Sequence, residues 1–306
     1  MSDEPFRSGT IALLGRPNVG KSTLLNRIIG AKVAIVTPKP QTTRHRILGI
    51  RTDEHCQMAF VDTPGIHQAS QQLNRNMVRV AYAAAEEADV LAIMQDVSKP
   101  LDAGTRRMIE RLAEEARDKP RVHVLNKIDQ VRRQELLPRL ALTQQIDPDA
   151  RGYVPVSARK GEQVEALLAL LAGCLPVSPP LYDPEWFTDQ SQRQLAAEYV
   201  REQVFMAMQQ EVPFQTAVEI ERFAEHAPEG DSPALLEIDA AILVGSERHK
   251  PMLIGKGGAN LKHIGTVARH GLERLLGCRV HLNLWVKVEP EWYNRPGQLR
   301  ELGLGD

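Results

Sequence analysis

Gly15-Arg16-Pro17-Asn18-Val19-Gly20-Lys21-Ser22 follows the apolar run Thr10–Gly15 and leads into a helical pattern, Ser22–Ile29. The octet fits G-x-x-x-x-G-K-[ST] in the strand-then-helix setting that gives the motif its meaning. Its glycines let successive backbone N–H groups turn inward around an anion, and the helix N-terminus adds partial positive charge. Lys21 can reach the β- and γ-phosphates, and the Ser22 hydroxyl can ligate Mg2+. A tight turn between strand and helix explains the glycines but not the Lys-Ser pair. These residues with the adjacent Thr23 therefore predict a triphosphate-binding loop.

Outward from the loop, short apolar runs alternate with amphipathic stretches. Gln57–Asp62, Asp89–Gln95, Arg121–Asn126 and Tyr153–Val156 join Thr10–Gly15 as expected buried strands; Thr105–Arg117, Arg133–Gln145 and Glu162–Ala172 carry helical periodicity. Such unbroken apolar runs fit strands of a parallel sheet covered on both faces. Their alternation with helices predicts right-handed βαβ units and a doubly wound α/β domain over residues 1–175. Ligands of such sheets sit at the carboxyl ends of the strands. The proline-rich stretch Leu175–Pro184 breaks the pattern, and a linker is expected over 176–187. Beyond it, Ser191–Gln210 and Asn260–Leu276 read as amphipathic helices, and Thr216–Phe223, Leu236–Val244 and Val280–Val288 as strands. Val280, Leu282, Leu284, Val286 and Val288 share one face, so 188–306 is expected to form a smaller α+β domain with one covered sheet face. Trp186 and Trp292 are expected to anchor linker and tail.

Bulk properties narrow the class. A chain of 306 residues suits two domains. Its 38 Lys and Arg against 39 Asp and Glu exclude a uniformly basic nucleic-acid binder, while leaving room for a local basic face. Cys56, Cys174 and Cys278 lie far apart without metal-ligand spacing, which argues for a reducing compartment and against a zinc site. The polar start MSDEPFRSG lacks a signal-peptide core, and no apolar run approaches the ~20 residues of a membrane helix. A soluble cytoplasmic protein is expected.

Three further loops bear on the nucleotide. Asp62-Thr63-Pro64-Gly65 follows a strand: the Asp62 carboxylate suits Mg2+, usually through water, and the Gly65 amide suits a γ-phosphate. Taken alone, the tetrapeptide is also simply a good turn. Asn126-Lys127-Ile128-Asp129 ends another strand on the same sheet edge. Asn126 offers an amide to a purine, and the Asp129 carboxylate can accept from both N1–H and the exocyclic amine of guanine. Adenine has no N1–H and leaves a buried carboxylate unsatisfied, a discrimination on the order of several kcal/mol. Ser157-Ala158, followed by Arg159, suits a backbone contact to the guanine oxygen.

The ordered set GRPNVGKS, DTPG, NKID and SA resembles the translation-factor-related GTPases. The resemblance implies a Ras-like P-loop GTPase domain with a mixed sheet, and GTP or GDP as ligand. It also implies Mg2+ held by Ser22, Asp62 and a switch threonine, with Lys21, Thr43, Gly65 and Asn18 serving catalysis. The switch threonine falls in Gln41-Thr42-Thr43-Arg44-His45; Thr43 is favoured and Thr42 stays open. Many small GTPases carry, just after the glycine of DTPG, a glutamine that orients the attacking water. Ile66 stands there instead, so slow intrinsic hydrolysis is expected. In related GTPases with the Pro-Asn pair of the phosphate loop, the asparagine helps bind K+; Asn18 is read either that way or as a residue of loop geometry.

In the second half, Leu253-Ile254-Gly255-Lys256-Gly257-Gly258-Ala259-Asn260-Leu261-Lys262 matches the GXXG loop of a KH domain, which clamps a single-stranded nucleic-acid backbone. From Gly245 to Val288 there are eight Lys and Arg against two acids, the local basic clustering such contact needs. A plain turn before a helix is the competing reading. Trp285 is suited either to stacking on a base or to internal packing. Arg222, His249, His263 and His281 read as solvated surface.

A GTPase domain followed by a KH domain of type II, with QTTRHR, DTPGIH, VEIERF, GKGG and HLNLWVKV, resembles the Era family of TrmE-Era-like ribosome-assembly GTPases over nearly the whole chain. The resemblance implies a role in maturation of the small (30S) ribosomal subunit. It implies binding of 16S rRNA near its 3′ end through Ile254, Gly255, Lys256, Gly257, Gly258 and Lys262. A monomer with loose peripheral association with the inner membrane is also implied. Two other classes stay open on the residues alone: an RNA-binding scaffold with a structural nucleotide site, and a GTPase of tRNA modification or membrane transport.

Overall fold

The computed structural model describes residues 5–40, 42–66, 72–208, 212–227, 234–302 and 304. The chain divides into two compact units. The first comprises Met1–Ala34, Thr43–Ser70 and Asn74–Asp189; the second comprises Ile35–Thr42, Gln71–Leu73 and Gln190–Asp306.

In the first unit, six strands run in the order β2-β3-β1-β4-β5-β6. They are β1 (Arg7–Gly15), β2 (Ile47–Thr52), β3 (Cys56–Asp62), β4 (Val90–Asp96), β5 (Arg121–Asn126) and β6 (Gly152–Val156). All pairings are parallel except β2 with β3, so the sheet is mixed. Helices α1 (Lys21–Ile29), α2 (Gln72–Glu87), α3 (Ala103–Glu115), α4 (Arg133–Ile146) and α5 (Val164–Cys174) connect them. Leu24, Leu25, Leu167 and Leu171 pack on one core cluster, and Ala81, Met108, Ile109 and Leu112 on another, which is why the central strands are apolar throughout. Strand β2 carries a weak signal because Gly49 interrupts its apolar run. A Cβ there would lie 2.6 Å from Leu25 Cδ1, so the gap admits α1. Helix α3 starts two residues before its apolar pattern because the Asp102 side chain caps it, accepting from the N–H groups of Gly104 and Thr105.

The proline-rich stretch is bonded along the first unit. Ser8 N–H donates to Pro176 O, and Ser178 N–H to Phe6 O, both at 3.2 Å. Fully buried Gln57 accepts from the N–H groups of Leu181 (2.7 Å) and Tyr182 (2.9 Å) and donates to Tyr182 O (2.9 Å). Ile50 N–H reaches Phe187 O at 2.9 Å, and Thr188 Oγ1 donates to Leu48 O at 2.7 Å. The segment is thus a strap held by backbone and Gln57; the Trp186 ring, 52% exposed, does not provide the expected anchor.

The second unit contains α6 (Gln192–Ala207), β7 (Thr216–His226), β8 (Leu235–Val244), α7 (His249–Ile254), α8 (Ala259–Leu276), β9 (Arg279–Val288) and α9 (Pro296–Glu301). Its sheet runs β7-β8-β9, antiparallel then parallel. Val200 and Val204 of α6 and Ile264 and Ala268 of α8 pack with Ile242 and Val286 of the sheet, the α+β arrangement expected. A Ser191–Gln194 capping box starts α6, which ends at Ala207; residues 209 and 210 of the expected helix lie outside the described residues. Trp292 is fully buried and its indole N–H donates to Gln215 O at 3.0 Å, so this tryptophan does anchor the tail. Among the described residues, no helix is long and apolar enough to cross a membrane.

Candidate nucleotide site and nucleic-acid loop

Strand register brings the predicted loops of the first unit to one sheet edge: Leu13 lies beside Asp62, Asp96 beside Asn126, and Asn126 beside Val156. Gly20 precedes α1 with φ 102°, and a Cβ there would lie 2.3 Å from Asn126 Nδ2, so conformation and neighbour both require glycine. Lys21 is buried, and its Nζ donates to the carbonyls of Gly15 (3.1 Å) and Arg16 (3.2 Å). Burial pushes its ammonium down to about 8, against the opposing pull of Asp62. Arg16 pairs with Asp102 at 2.5 Å.

Ser22 Oγ donates to Asp62 Oδ2 at 2.6 Å and lies 3.0 Å from Thr43 Oγ1, which is itself 3.5 Å from Asp62 Oδ2. Burial raises the Asp62 carboxyl above its ordinary value, although Lys21 and the two hydroxyls oppose the rise. Asp62 Oδ1 is buried without a hydrogen-bond partner. Two hydroxyls and a buried carboxylate with an unused oxygen form a hard-oxygen donor set, which fits Mg2+. The Thr42 hydroxyl instead lies 2.7 Å from that of Thr37 and donates to Lys39 O at 2.9 Å. Of the two threonines, Thr43 is the one that reaches Ser22 and Asp62. Gln41 and His67, within the sequence motifs, lie outside the described residues.

Thr63 Oγ1 donates to Leu13 O at 2.8 Å and ties the DTPG loop to β1. Pro64 and Gly65 are buried, and a Cβ on Gly65 would come within 2.6 Å of Pro17 N. Ile66 N–H donates to Gly15 O at 3.0 Å, while its side chain is core, packed in the cluster with Ala12, Leu14 and Ala81.

Asn126 is a three-way clamp. Its Nδ2 donates to Val19 O at 2.7 Å, and its Oδ1 accepts from the N–H groups of Lys127 (2.8 Å) and Ala158 (3.0 Å). Lys127 Nζ donates to Asn18 O and to Asp96 Oδ2, both at 2.7 Å. Burial alone would raise the Asp96 carboxyl, but bonds from Lys127 and Ser98 outweigh it and hold it below its usual range. Asp129 Oδ1 accepts from Ser157 Oγ at 2.7 Å. Arg27, not singled out in the sequence, donates to the carbonyls of Ala158 (3.3 Å) and Arg159 (2.5 Å) and braces the loop from α1. No motif marks it; its place on the exposed side of α1 looks like ordinary surface.

The GKGG loop joins α7 to α8, with φ of 73°, 58° and 80° at Gly255, Gly257 and Gly258. A Cβ at Gly257 or Gly258 would meet nothing, so conformation and an open outer face set the requirement. Ile254 is partly buried; Lys256 and Lys262 are exposed. Beside the loop lies a groove of about 390 Å³ lined by residues including Gly258, Lys262, Gly265, Arg269, Leu282 and Leu284. Gly265 and Arg269 went unread in the sequence, yet 258, 262, 265 and 269 follow helical spacing along one side of α8. Trp285 does not line this groove. His263 and His281 are exposed as expected, His249 is partly buried, and Arg222 pairs with Glu237 at 3.1 Å.

The fold and these loops define the class, a P-loop GTPase domain joined to a KH domain. Residues 10–127 match the family described as 50S ribosome-binding GTPase, and residues 211–293 match the KH domain family. The chain is 44% identical over 304 residues to GTPase Era of Geotalea uraniireducens (strain Rf4), covering 99% of each chain. It is 42% identical over 306 residues to GTPase Era of Pseudomonas putida (strain W619), again covering 99% of each. Two solved structures share 38% identity and a TM-score of 0.93 with it, over 98% of this chain and 100% of theirs. One is a variant of Aquifex aeolicus Era bound to GDP and AlF4−; the other is Era in complex with MgGDPNP and nucleotides 1506–1542 of 16S ribosomal RNA. This chain belongs to the Era family of GTPases.

Proposed function

We propose that this chain binds and hydrolyses GTP, binds single-stranded 16S rRNA near its 3′ end through its KH domain, and acts in assembly of the 30S subunit. The observation that carries the nucleotide half is the convergence of Ser22, Thr43 and Asp62 beside buried Lys21, with Asp62 Oδ1 unpartnered. Backbone N–H groups from Asn18 to Thr23 cradle the phosphates, and Lys21 neutralises the β- and γ-phosphate charge. Mg2+, held by Ser22, Thr43 and Asp62, adds positive charge at the phosphate oxygens when bound. The Gly65 amide meets the γ-phosphate, with Thr63 and Pro64 fixing its loop and Thr42 framing Thr43. Asn126, Lys127, Asp129, Ser157, Ala158 and Arg159 form the guanine pocket, with Asp129 the group that selects guanine.

Ile66 presents no polar atom to a water, so intrinsic turnover is slow, and K+ bound near Asn18 assists it. Ile254, Gly255, Lys256, Gly257, Gly258 and Lys262 clamp the RNA backbone, a reading supported by the rRNA complex of the Era relative. The GTPase domain spans residues 1–175 and the KH domain 188–306, with 176–187 between them. The protein works as a monomer in the cytoplasm, with peripheral contact to the inner membrane.

The test measures phosphate release from GTP in K+ and in Na+, and binding of a single-stranded RNA with the 16S 3′-end sequence. Expected are Mg2+-dependent release that falls in Na+, and RNA binding weakened by Lys256→Glu. Equal rates in the two salts remove the K+ role. Undetectable release with RNA and K+ present makes the chain a scaffold with a structural nucleotide site.

A further inference from the structure

Two neighbouring residues at the end of β5 each hold a carbonyl of the phosphate loop. Asn126 Nδ2 donates to Val19 O, and Lys127 Nζ donates to Asn18 O, both at 2.7 Å. The two anchors differ in how they are themselves fixed. Asn126 has a short, buried side chain whose Oδ1 accepts from two N–H groups. The Lys127 ammonium is a point charge on a flexible four-carbon stem, which does not aim itself. Its direction comes from Asp96, the last residue of β4, which lies beside Asn126 in the sheet register. Asp96 Oδ2 accepts from Lys127 Nζ at 2.7 Å, while Oδ1 accepts from the N–H of Ser98 at 2.9 Å and from its hydroxyl at 2.5 Å. The Asp96 side chain is 14% exposed, so little water competes for it.

These bonds fix strained backbone. Asn18 and Lys127 have φ of 64° and 74°, the left-handed region that residues other than glycine rarely adopt. Such residues persist where their surroundings over-determine them. Here the bond from the Lys127 ammonium to the Asn18 carbonyl ties the two strained turns together. That carbonyl and the Val19 N–H belong to one planar trans peptide group, so they point opposite ways. A cation that draws the carbonyl toward the end of β5 therefore turns the N–H to the other side of the loop. Asn126 does the same to the next peptide, through Val19 O and the Gly20 N–H. The sheet already pairs β4 with β5 as far as Asp96 and Asn126, so joining the strands does not call for the ion pair.

We propose that Asp96 is a positioning residue for nucleotide binding: held by Ser98, it aims the Lys127 ammonium at the Asn18 carbonyl and so presents the Val19 N–H to the phosphates. Asp96 acts through Lys127 and not on the nucleotide itself. The role rests on the reading of the loop as a phosphate cradle, and it serves the β-phosphate that GDP and GTP share.

The test compares the full-length parent with Asp96→Asn, Lys127→Met and the two combined. The amide keeps one acceptor for Ser98 and turns a donor toward Lys127, so the cation is no longer aimed. The measurements are the release rate of fluorescent GDP in Mg2+, the Kd for GDP and for inosine diphosphate, and the nucleotide-free Tm. Loss of one charge-assisted hydrogen bond predicts about tenfold faster release and about tenfold weaker GDP binding for Asp96→Asn. Because the effect runs through Lys127, adding Asp96→Asn to Lys127→Met should change release by less than about twofold. Inosine lacks the exocyclic amine that Asp129 reads, and the effect falls on the phosphates, so the preference for GDP over inosine diphosphate should stay within about twofold. A lower Tm with unchanged release, the same factor in both backgrounds, or a shifted base preference each overturns the proposal. If Asp96→Asn does not fold, Ser98→Ala is read instead. It slackens the same carboxylate, and about threefold faster release is expected; an unchanged rate overturns the proposal. A parent that retains no GDP sinks the cradle reading itself, which is distinct from every outcome among the variants.

Discussion

Replacing Asn126 by alanine separates two jobs that one side chain can do. If the amide serves only a bound purine, the nucleotide-free protein should not notice its loss. The geometry predicts otherwise, because Asn126 makes three internal hydrogen bonds at 2.7, 2.8 and 3.0 Å to Val19, Lys127 and Ala158. The side chain is 2% exposed, so water replaces little of what is lost. At about 1 kcal/mol for each bond, Asn126→Ala should cost about 3 kcal/mol. For a unit of this size, ~2–4 °C per kcal/mol converts that to a fall of about 6–12 °C in Tm. The assay is thermal unfolding of the full chain without nucleotide, with Asp129→Asn as comparator, since Asp129 holds only a single Ser157 hydroxyl at 2.7 Å. A nucleotide-free Tm for Asn126→Ala within about 2 °C of the parent would refute the clamp, because the expected loss is several times larger.

The comparator carries its own prediction: Asp129→Asn should shift preference away from guanine, measured by competition among nucleotides, and retained GTP selectivity would overturn its assignment. Gly65→Ala puts a Cβ 2.6 Å from Pro17 N where ordinary contact begins near 3.4 Å, so the DTPG loop must retreat and the Ile66–Gly15 bond lengthens. About 2 kcal/mol of destabilisation is expected, read by denaturant titration, with a GTP analogue losing more affinity than GDP. Acid stability follows from Asp147. Burial alone would raise its carboxyl, but bonds from His123 and Arg121 outweigh that and hold it at about 2, below the unfolded value of 3.8. A depressed folded value means stability that is complete above 3.8 and lost as pH falls toward 2. That contribution is about 2 kcal/mol, so the stability gap between parent and Asp147→Asn should narrow by that amount between about pH 5 and about pH 2. Gly257→Asp adds a negative side chain to an open face in a left-handed conformation. RNA affinity should drop more than about tenfold for about 1 kcal/mol of stability, with GTP binding unchanged.

The nucleotide edge was legible because phosphate and guanine chemistry demands particular residues at particular strand ends, and those strands are apolar enough to be seen. Thr43 could not be separated from Thr42 by sequence; only the turn through Thr37 and Lys39 decides which hydroxyl faces Asp62. Strand β2 was missed because an end strand interrupted by Gly49 lacks a long apolar run. Helix α2 was missed because its buried positions include Ala81, Ala84 and Ala85, whose small side chains give a faint periodicity. Arg27 and Arg201 donate to backbone carbonyls far along the chain, and no local pattern encodes such a contact. Glu198, Arg201 and Glu202 of α6 are buried in the fold, which amphipathic periodicity alone does not reveal.

The strap along the first unit also settles how the sheet ends. Among the described residues strand β2 has no strand on its outer side, and a run such as Ile47-Leu48-Gly49-Ile50 with unpaired N–H and C=O groups is a template on which another chain could polymerise. Phe187 and Thr188 occupy the N–H of Ile50 and the carbonyl of Leu48, yet the Gly49–Thr188 bridge is too short to offer a new strand in turn. Pro184, three residues earlier, has no N–H to donate. The stretch that reads as a tether in the sequence is therefore also a stopper, which lets an apolar edge exist at cellular concentration without seeding aggregation.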